Sequence, residues 1–211
     1  MFDALIVKQL KEPLDLLARP LARSRVSADS LTLIGGFFGV SGAVAVAIDA
    51  TLFGLVLLLL NRLFDGLDGA VARLHGPTDR GAYLDIVCDF LIYSAMPLAF
   101  AIRDSEDALA AAFLIFCFVG TGSSFLAFSI FAKAHGLSNQ RFATKSFYYL
   151  EGFTEGFETI LIFCLMCLFP SWFGLLAYGF GVLCLVTAVG RISYAAQTLD
   201  GISRVDPDSL R

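Results

Sequence analysis

Charge is what this chain has least of. Only 16% of its 211 residues are Asp, Glu, Lys or Arg, while 57% are hydrophobic, and the mean hydropathy is +0.77. A soluble domain is nearer a quarter charged, so an ordinary water-soluble globule is excluded. Histidine occurs twice and tryptophan once. The five cysteines, Cys88, Cys117, Cys164, Cys167 and Cys184, all fall in apolar runs. The one CxxC, Cys164 to Cys167 within "LIFCLMCLF", has no second ligand pair and no turn residues, which leaves helix packing rather than zinc. A cleavable signal peptide is not expected, because charges run all through "MFDALIVKQLKEPLDLLARPLARSRV". No repeat, low-complexity tract or second domain is evident, and no nucleic-acid partner is expected.

What remains is a helical integral membrane protein, since a bilayer forces every backbone group to bond within its own segment. Apolar runs of about 20 residues predict six spans: Ser30–Ile48, Thr51–Arg73, Gly81–Arg103, Asp107–Ala134, Phe147–Phe169 and Trp172–Gln197. Ser27 and Asp29 are candidate N-caps for the first, and Pro170 stops the fifth. Gly35, Gly36, Gly39 and Gly42 in the first span suit close helix packing. Ahead of it, residues 1–26 alternate leucines with Lys8, Lys11, Arg19, Arg23 and Arg25, the pattern of an amphipathic helix lying on the membrane surface, bent at Pro13 and Pro20. Residues 27–198 then form one six-helix membrane domain, and 199–211 a loose polar tail. With the N-terminus inside, Arg73, Arg80, Lys133, Arg141, Lys145, Arg204 and Arg211 join the N-terminal cations on one side, while Arg103 stands alone on the other. The asymmetry puts both termini and the loops 73–81 and 134–147 in the cytoplasm.

Against this scarcity of charge, "NRLFDGLDGAVARLHGPTDRGAYLDIVCDF" stands out. Each intramembrane Asp costs about 2.5–3.5 kcal/mol near a helix centre and less near an end. Asp65 and Asp68 are three apart, and Asp85 and Asp89 four apart, so each pair shares a helix face. The short connection "LHGPTDR" predicts antiparallel neighbouring helices whose acids converge at their cytoplasmic ends. Four converging carboxylates repel one another, so either some protonate or divalent cations bind. Hard oxygen donors suit Mg²⁺ or Mn²⁺. Gly69 and Gly81 clear space for a bulky ligand to approach the backbone, and Arg73 can hold a phosphate. The bland alternative is a set of helix-end acids paired with Arg62, Arg73 and Arg80.

Asp65-x2-Asp68-Gly69-x2-Ala72-Arg73 … Gly81-x3-Asp85-x3-Asp89 resembles the signature of the CDP-alcohol phosphotransferase family at all eight fixed positions. Two departures are visible. Seven residues, Leu74 to Arg80, separate Arg73 from Gly81, one fewer than usual. Of the Pro-Asn-x-x-Thr found near the first span of many members, this chain keeps Thr32 alone. The resemblance implies six membrane helices with a cytoplasmic site, often an N-terminal surface helix and commonly a homodimer. It also implies transfer of a phosphatidyl-type group from a CDP-alcohol, most often CDP-diacylglycerol, to a hydroxyl acceptor with release of CMP. Asp65, Asp68 and Asp85 would ligate two ions, with Asp89 binding one of them or acting as the base. Thr32, Gly69, Ala72, Arg73 and Gly81 would hold the nucleotide and phosphates.

For the acceptor, Lys133, Arg141 and Lys145, with His135, form a basic group suited to glycerol 3-phosphate, the default expectation, or inositol phosphate. Glu151, Glu155 and Glu158 share a helix face and suit the ammonium of serine or a polyol; Arg191 is a further anion contact. Two rivals use similar residues. An Mg²⁺-dependent prenyltransferase lacks the Gly-x-x-Ala-Arg frame, and a cation- or proton-coupled transporter would spread its acids through the membrane depth.

Overall fold

The computed structural model describes residues 3–24, 26–135 and 154–205, and all regular structure among them is helical. Seven α-helices follow in order: α1 Asp3–Arg23, α2 Ala28–Ala47, α3 Thr51–His75, α4 Asp79–Arg103, α5 Ala108–Ala134, α6 Gly156–Leu168 and α7 Phe173–Val205. Short 3-10 turns, Ser105–Asp107 and Pro170–Trp172, lead into α5 and α7. Among the described residues, four helical stretches are long and apolar enough to cross a membrane: α2, α4, Ser105–Ala134 and Pro170–Gly201. The polar residues of α3 break its apolar run, and the Phe147 start expected for the fifth span lies outside the described residues. The last helix runs to Val205, past the expected end at Gln197 and into the stretch read as a tail. Large apolar side chains stand exposed along the helices, among them Phe37, Leu52, Ile102, Leu109, Phe116 and Leu175. Such a surface suits hydrocarbon, not water.

The helix starts follow local chemistry. Ser27 caps α2, its Oγ accepting from the Ser30 N–H at 3.1 Å. Asp29 is no cap; it sits in the first turn and pairs with Arg80 at 3.3 Å. Thr78 caps α4, accepting from Gly81 N–H at 3.0 Å. α3 ends at Gly76, whose φ of +96° falls in the region that favours glycine. α1 continues as one helix through both Pro13 and Pro20. It packs on α3, with Leu14 against Gly66 and the buried Ala18 in a cluster with Leu31, Leu67, Ala70 and Val71. A larger core joins α4, α5, α6 and α7 through Ile92, Phe100, Leu114, Phe163 and Phe173. All five cysteines are free thiols. Arg103, alone on its side in sequence, donates from Nε to Asp49 at 2.6 Å.

One expectation is corrected. α3 and α4 are consecutive and joined by a short loop, yet neither makes its main contacts with the other; both lie against α2. The glycines of α2 explain this. A side chain at Gly35 would meet Phe64 and Asn61 of α3, and one at Gly36 would meet Cys88 of α4. Gly39 faces Ile92 on α4 and Asn61 on α3, and Gly42 meets the backbone of α3 at Gly54. α2 is thus a thin wedge that seats two helices side by side and keeps them apart, leaving a gap between α3 and α4.

The backbone contact between that wedge and α3 predicts a stability effect. A Cβ at Gly54 would come within 2.9 Å of the Gly42 carbonyl oxygen and 2.6 Å of Val46 Cγ2. Overpacking of this kind costs about 1–3 kcal/mol, more than the roughly 0.5–1 kcal/mol that leaving glycine returns to a helix. Gly54→Val is expected to lower the thermal unfolding midpoint in detergent. Gly179→Ala, where a Cβ meets nothing within 4 Å, is expected to leave it unchanged or raise it.

Candidate active site

The gap holds the acids. Asp65, on α3, and Asp85 and Asp89, on α4, each turn a carboxylate oxygen inward so that the three oxygens lie within 4.8 Å of one another. Asp68 is one turn further along α3 and does not join that trio. It is buried, 6% exposed, and accepts from Thr32 Oγ1 at 2.5 Å. The four acids expected to act together are therefore arranged as three plus one, with Asp68 held back by a hydroxyl from α2. The donor set fits Mg²⁺ or Mn²⁺: hard oxygens, close enough to share an ion, with carboxylate charge in excess of the one guanidinium among them.

The three arginines of the bland alternative separate cleanly. Arg73 reaches out of the cluster to Asp15 on α1 at 3.4 Å, and Arg80 pairs with Asp29. Arg62 alone enters the cluster, with Nη2 2.7 Å from Asp89 Oδ1 and Nη1 3.6 Å from Asp65 Oδ2. Among the described residues, one monocation stands among the four acids and leaves most of their charge unmatched, so pairing with Arg62, Arg73 and Arg80 does not account for the cluster.

Two cavities flank the acids. The larger, about 560 Å³, is walled by Thr32, Asp68, Gly69, Ala72, Arg73, Gly81 and Asp85, and floored by the α3–α4 connection Gly76–Thr78. All five residues assigned from sequence to the nucleotide line it. The shortened connection is simply the other side of this cavity: Leu74 and His75 finish α3, and Asp79 and Arg80 open α4. The smaller cavity, about 340 Å³, lies on the opposite side of the acids, lined by Asp85, Asp89, Tyr93, Thr121, Thr154, Glu155 and Arg191 among others. Asp85 faces both.

Of the residues assigned to the acceptor, Glu155 and Arg191 line this smaller cavity. Lys133 lies on the exposed last turn of α5 and lines neither cavity. Arg141, Lys145 and Glu151 lie outside the described residues. Arg191 Nη1 donates to the Thr121 carbonyl at 3.2 Å, and its guanidinium stands 5.5 Å from the centre of the Phe125 ring. Glu155 also has a structural task, forming with Glu158 the capping box that starts α6. Tyr93, Thr121 and Thr154 were not singled out from sequence. A lone hydroxyl on an apolar helix carries no signal until packing shows which side it faces.

Residues 25–191 match the family described as CDP-alcohol phosphatidyltransferase. The chain belongs to this family. It is therefore a membrane phosphotransferase of phospholipid biosynthesis, and the prenyltransferase and transporter readings lose their ground. The enzyme is 46% identical over 205 residues to the inner membrane protein YnjF of Escherichia coli, a match covering 97% of this chain and 100% of that one. It is 43% identical over 75 residues to the phosphatidylinositol phosphate synthase of Mycobacterium marinum, covering 35% of this chain and 32% of that protein. The fold resembles crystal structures of Mycobacterium tuberculosis phosphatidylinositol phosphate synthase. The one with CDP-DAG bound has a TM-score of 0.68 at 23% identity, covering 86% of this chain and 92% of that one. The one in complex with manganese and citrate has a TM-score of 0.66 at 24% identity, covering 86% and 88%.

The Thr32–Asp68 contact yields a prediction. A hydrogen bond to a buried charge contributes about 1.5–3 kcal/mol, and Val fills the space of Thr without its hydroxyl. Thr32→Val is expected to destabilise the transferase in denaturant titration by an amount in that range, and Thr32→Ser to recover most of it.

Proposed function

We propose that the enzyme transfers a phosphatidyl-type group from a CDP-alcohol, CDP-diacylglycerol foremost, to the hydroxyl of a small acceptor, releasing CMP. The observation that carries this reading is the acid cluster standing between two cavities that share Asp85. A transfer between two bound substrates needs this layout, with the reacting phosphorus at the partition. In the larger cavity, Gly69, Ala72 and Gly81 leave the backbone approachable, Arg73 offers a guanidinium to the phosphates, and Thr32 lines the wall while its hydroxyl holds Asp68. Asp65, Asp68 and Asp85 would hold two divalent cations, Mg²⁺ or Mn²⁺. When bound, such ions neutralise the donor's phosphate oxygens and orient the pyrophosphate for in-line displacement.

Asp89 is the base. One of its oxygens is taken by Arg62; the other is free to accept the proton of the acceptor hydroxyl. That hydroxyl oxygen forms a bond to the phosphorus bearing the lipid alcohol. The bond from this phosphorus to the bridging oxygen breaks, and its electron pair leaves with CMP. The acceptor enters the smaller cavity, where Arg191 takes an anionic group and Glu155 a hydroxyl or ammonium. Glycerol 3-phosphate is the first acceptor to test, with inositol phosphate and serine beside it. Lys133, Arg141, Lys145 and Glu151 would line its approach. The setting proposed is an inner membrane crossed six times, with α1 on the surface, both termini and the site cytoplasmic, and two copies per assembly. The sidedness is supported by the distribution of Lys and Arg and the surface position of α1 by its docking on the acid-bearing end of α3; the pairing of two copies follows from the family resemblance alone.

The reading is tested by incubating the purified enzyme with radiolabelled CDP-diacylglycerol, Mg²⁺ or Mn²⁺, and each acceptor in turn. Acceptor-dependent CMP release is expected, and no release with any acceptor would sink the reading. Asp89→Asn is expected to lower turnover by about 10²–10⁴-fold, the usual contribution of a general base, in a protein that still folds. Wild-type turnover in that variant would remove Asp89 from the role of base.

A further inference from the structure

Arg62 is a costly residue to find inside this site. Its side chain is only 18% exposed, it lies on a membrane helix, and it faces carboxylates that a divalent cation would also claim. A flexible arginine drawn in by loose attraction would have no other fixed partner. Arg62 has one. Its Nε donates to Asn61 Oδ1 at 2.8 Å, and Asn61 Nδ2 donates to the Gly35 carbonyl at 2.9 Å. Asn61 is itself 2% exposed and packed against Gly39 as well as Gly35. The guanidinium is thus tied through a buried amide to the backbone of α2, and its far end holds Asp89 Oδ1 at 2.7 Å. A chain of hydrogen bonds runs from α2 through α3 to α4 across the gap that holds the acids.

We propose that Arg62 is a positioning residue of the transfer site, a resident cation that keeps hold of one oxygen of Asp89 throughout turnover and leaves the other aimed at the acceptor. Three features support permanence. The planar guanidinium has separate N–H groups for Asn61 and for Asp89, so it serves both at once. Its anchor, Asn61, is buried and already hydrogen-bonded to the α2 backbone, apart from the carboxylate trio. Its reach to Asp89 fixes a carboxylate on α4, a helix that otherwise has little direct contact with α3. Arg62 also sets the charge balance. It offsets one of the four carboxylates, so two bound divalent cations leave the site net positive toward the donor's pyrophosphate, not neutral.

The inference rests on the proposed transfer reaction, so its test includes a readout that does not need turnover. Mn²⁺ binding to the purified enzyme is followed by electron paramagnetic resonance, and CMP release is measured at saturating Mn²⁺. Removing a fixed positive charge beside the acids is expected to tighten Mn²⁺ binding in Arg62→Gln. Misplacing a catalytic group by about 1 Å can cost on the order of 10²-fold, and a loss of that size in kcat is expected at saturating Mn²⁺, with KM for the CDP-alcohol little changed. Arg62→Lys, which keeps the charge and loses the fork, is expected to bind Mn²⁺ as the wild type does while still losing turnover. Asn61→Leu, which releases the anchor and keeps Arg62, is expected to lose turnover in the same direction.

A guanidinium that cations merely displace would give full turnover in Arg62→Gln once Mn²⁺ is saturating, and that result overturns the proposal. So does weakened or unchanged Mn²⁺ binding in Arg62→Gln, or wild-type kcat in Arg62→Lys. If Arg62→Gln does not fold, Arg62→Lys and Asn61→Leu carry the test alone. If the wild type releases no CMP with any acceptor, the reaction has failed, and weakened or unchanged Mn²⁺ binding in Arg62→Gln still overturns the resident cation.

Discussion

Like charges packed at the end of two membrane helices push those helices apart, and the structure must hold them at a set separation against both that repulsion and collapse. The element that does so is α2. Its glycines let α3 and α4 come close on either side, while its own backbone keeps the two from closing on each other. The acids then face across a gap instead of crowding on one surface. On the α3 side the spacing is set by backbone against backbone at Gly42 and Gly54, while on the α4 side the side chains of Cys88 and Ile92 occupy the space the glycines leave.

The same wedge supplies the polar contacts that sort the acids. Thr32 and the Gly35 carbonyl are both on α2, about one turn apart, and they reach Asp68 and Asn61 respectively. Asp68 is thereby turned toward the larger cavity, while the path through Asn61 and Arg62 ends on Asp89 beside the smaller one. Capping by Thr78 starts α4 at the point that brings Gly81 and Asp85 to the cavity wall. Helix starts, close packing and site geometry are here a single set of contacts.

Much of the site was legible because helical spacing reports it directly. Asp65 with Asp68, and Asp85 with Asp89, announce their shared faces at three and four residues, and Gly69, Ala72 and Arg73 follow from the same helix. What was not legible depended on partners far away in sequence. Nothing near Asp68 says that Thr32 will bind it and hold it out of the trio. Nothing in the short loop says that α3 and α4 will each prefer α2, because that preference is written in glycines some twenty to fifty residues upstream. Arg62 was visible as a neighbour of Asp65 at three residues, but its anchorage on Asn61 and its hold on Asp89 needed the third dimension. The smaller cavity draws on α4, α5, α6 and α7 at once, so its hydroxyls looked like ordinary polar residues on apolar helices. Lys133 looked suited to it by charge and turned out to stand outside.

The two cavities meet at Asp85, and so does the chain itself. Among the described residues, the wall of the larger chamber is drawn from positions 27 to 85, and that of the smaller from 85 to 191. The polypeptide is therefore divided lengthwise into an N-terminal half that shapes one chamber and a C-terminal half that shapes the other. Changes that accumulate after Asp85 can remodel one chamber without disturbing the walls of its neighbour. A lineage built this way can explore new acceptors by drift or recombination in one half of the gene while the other half stays constant.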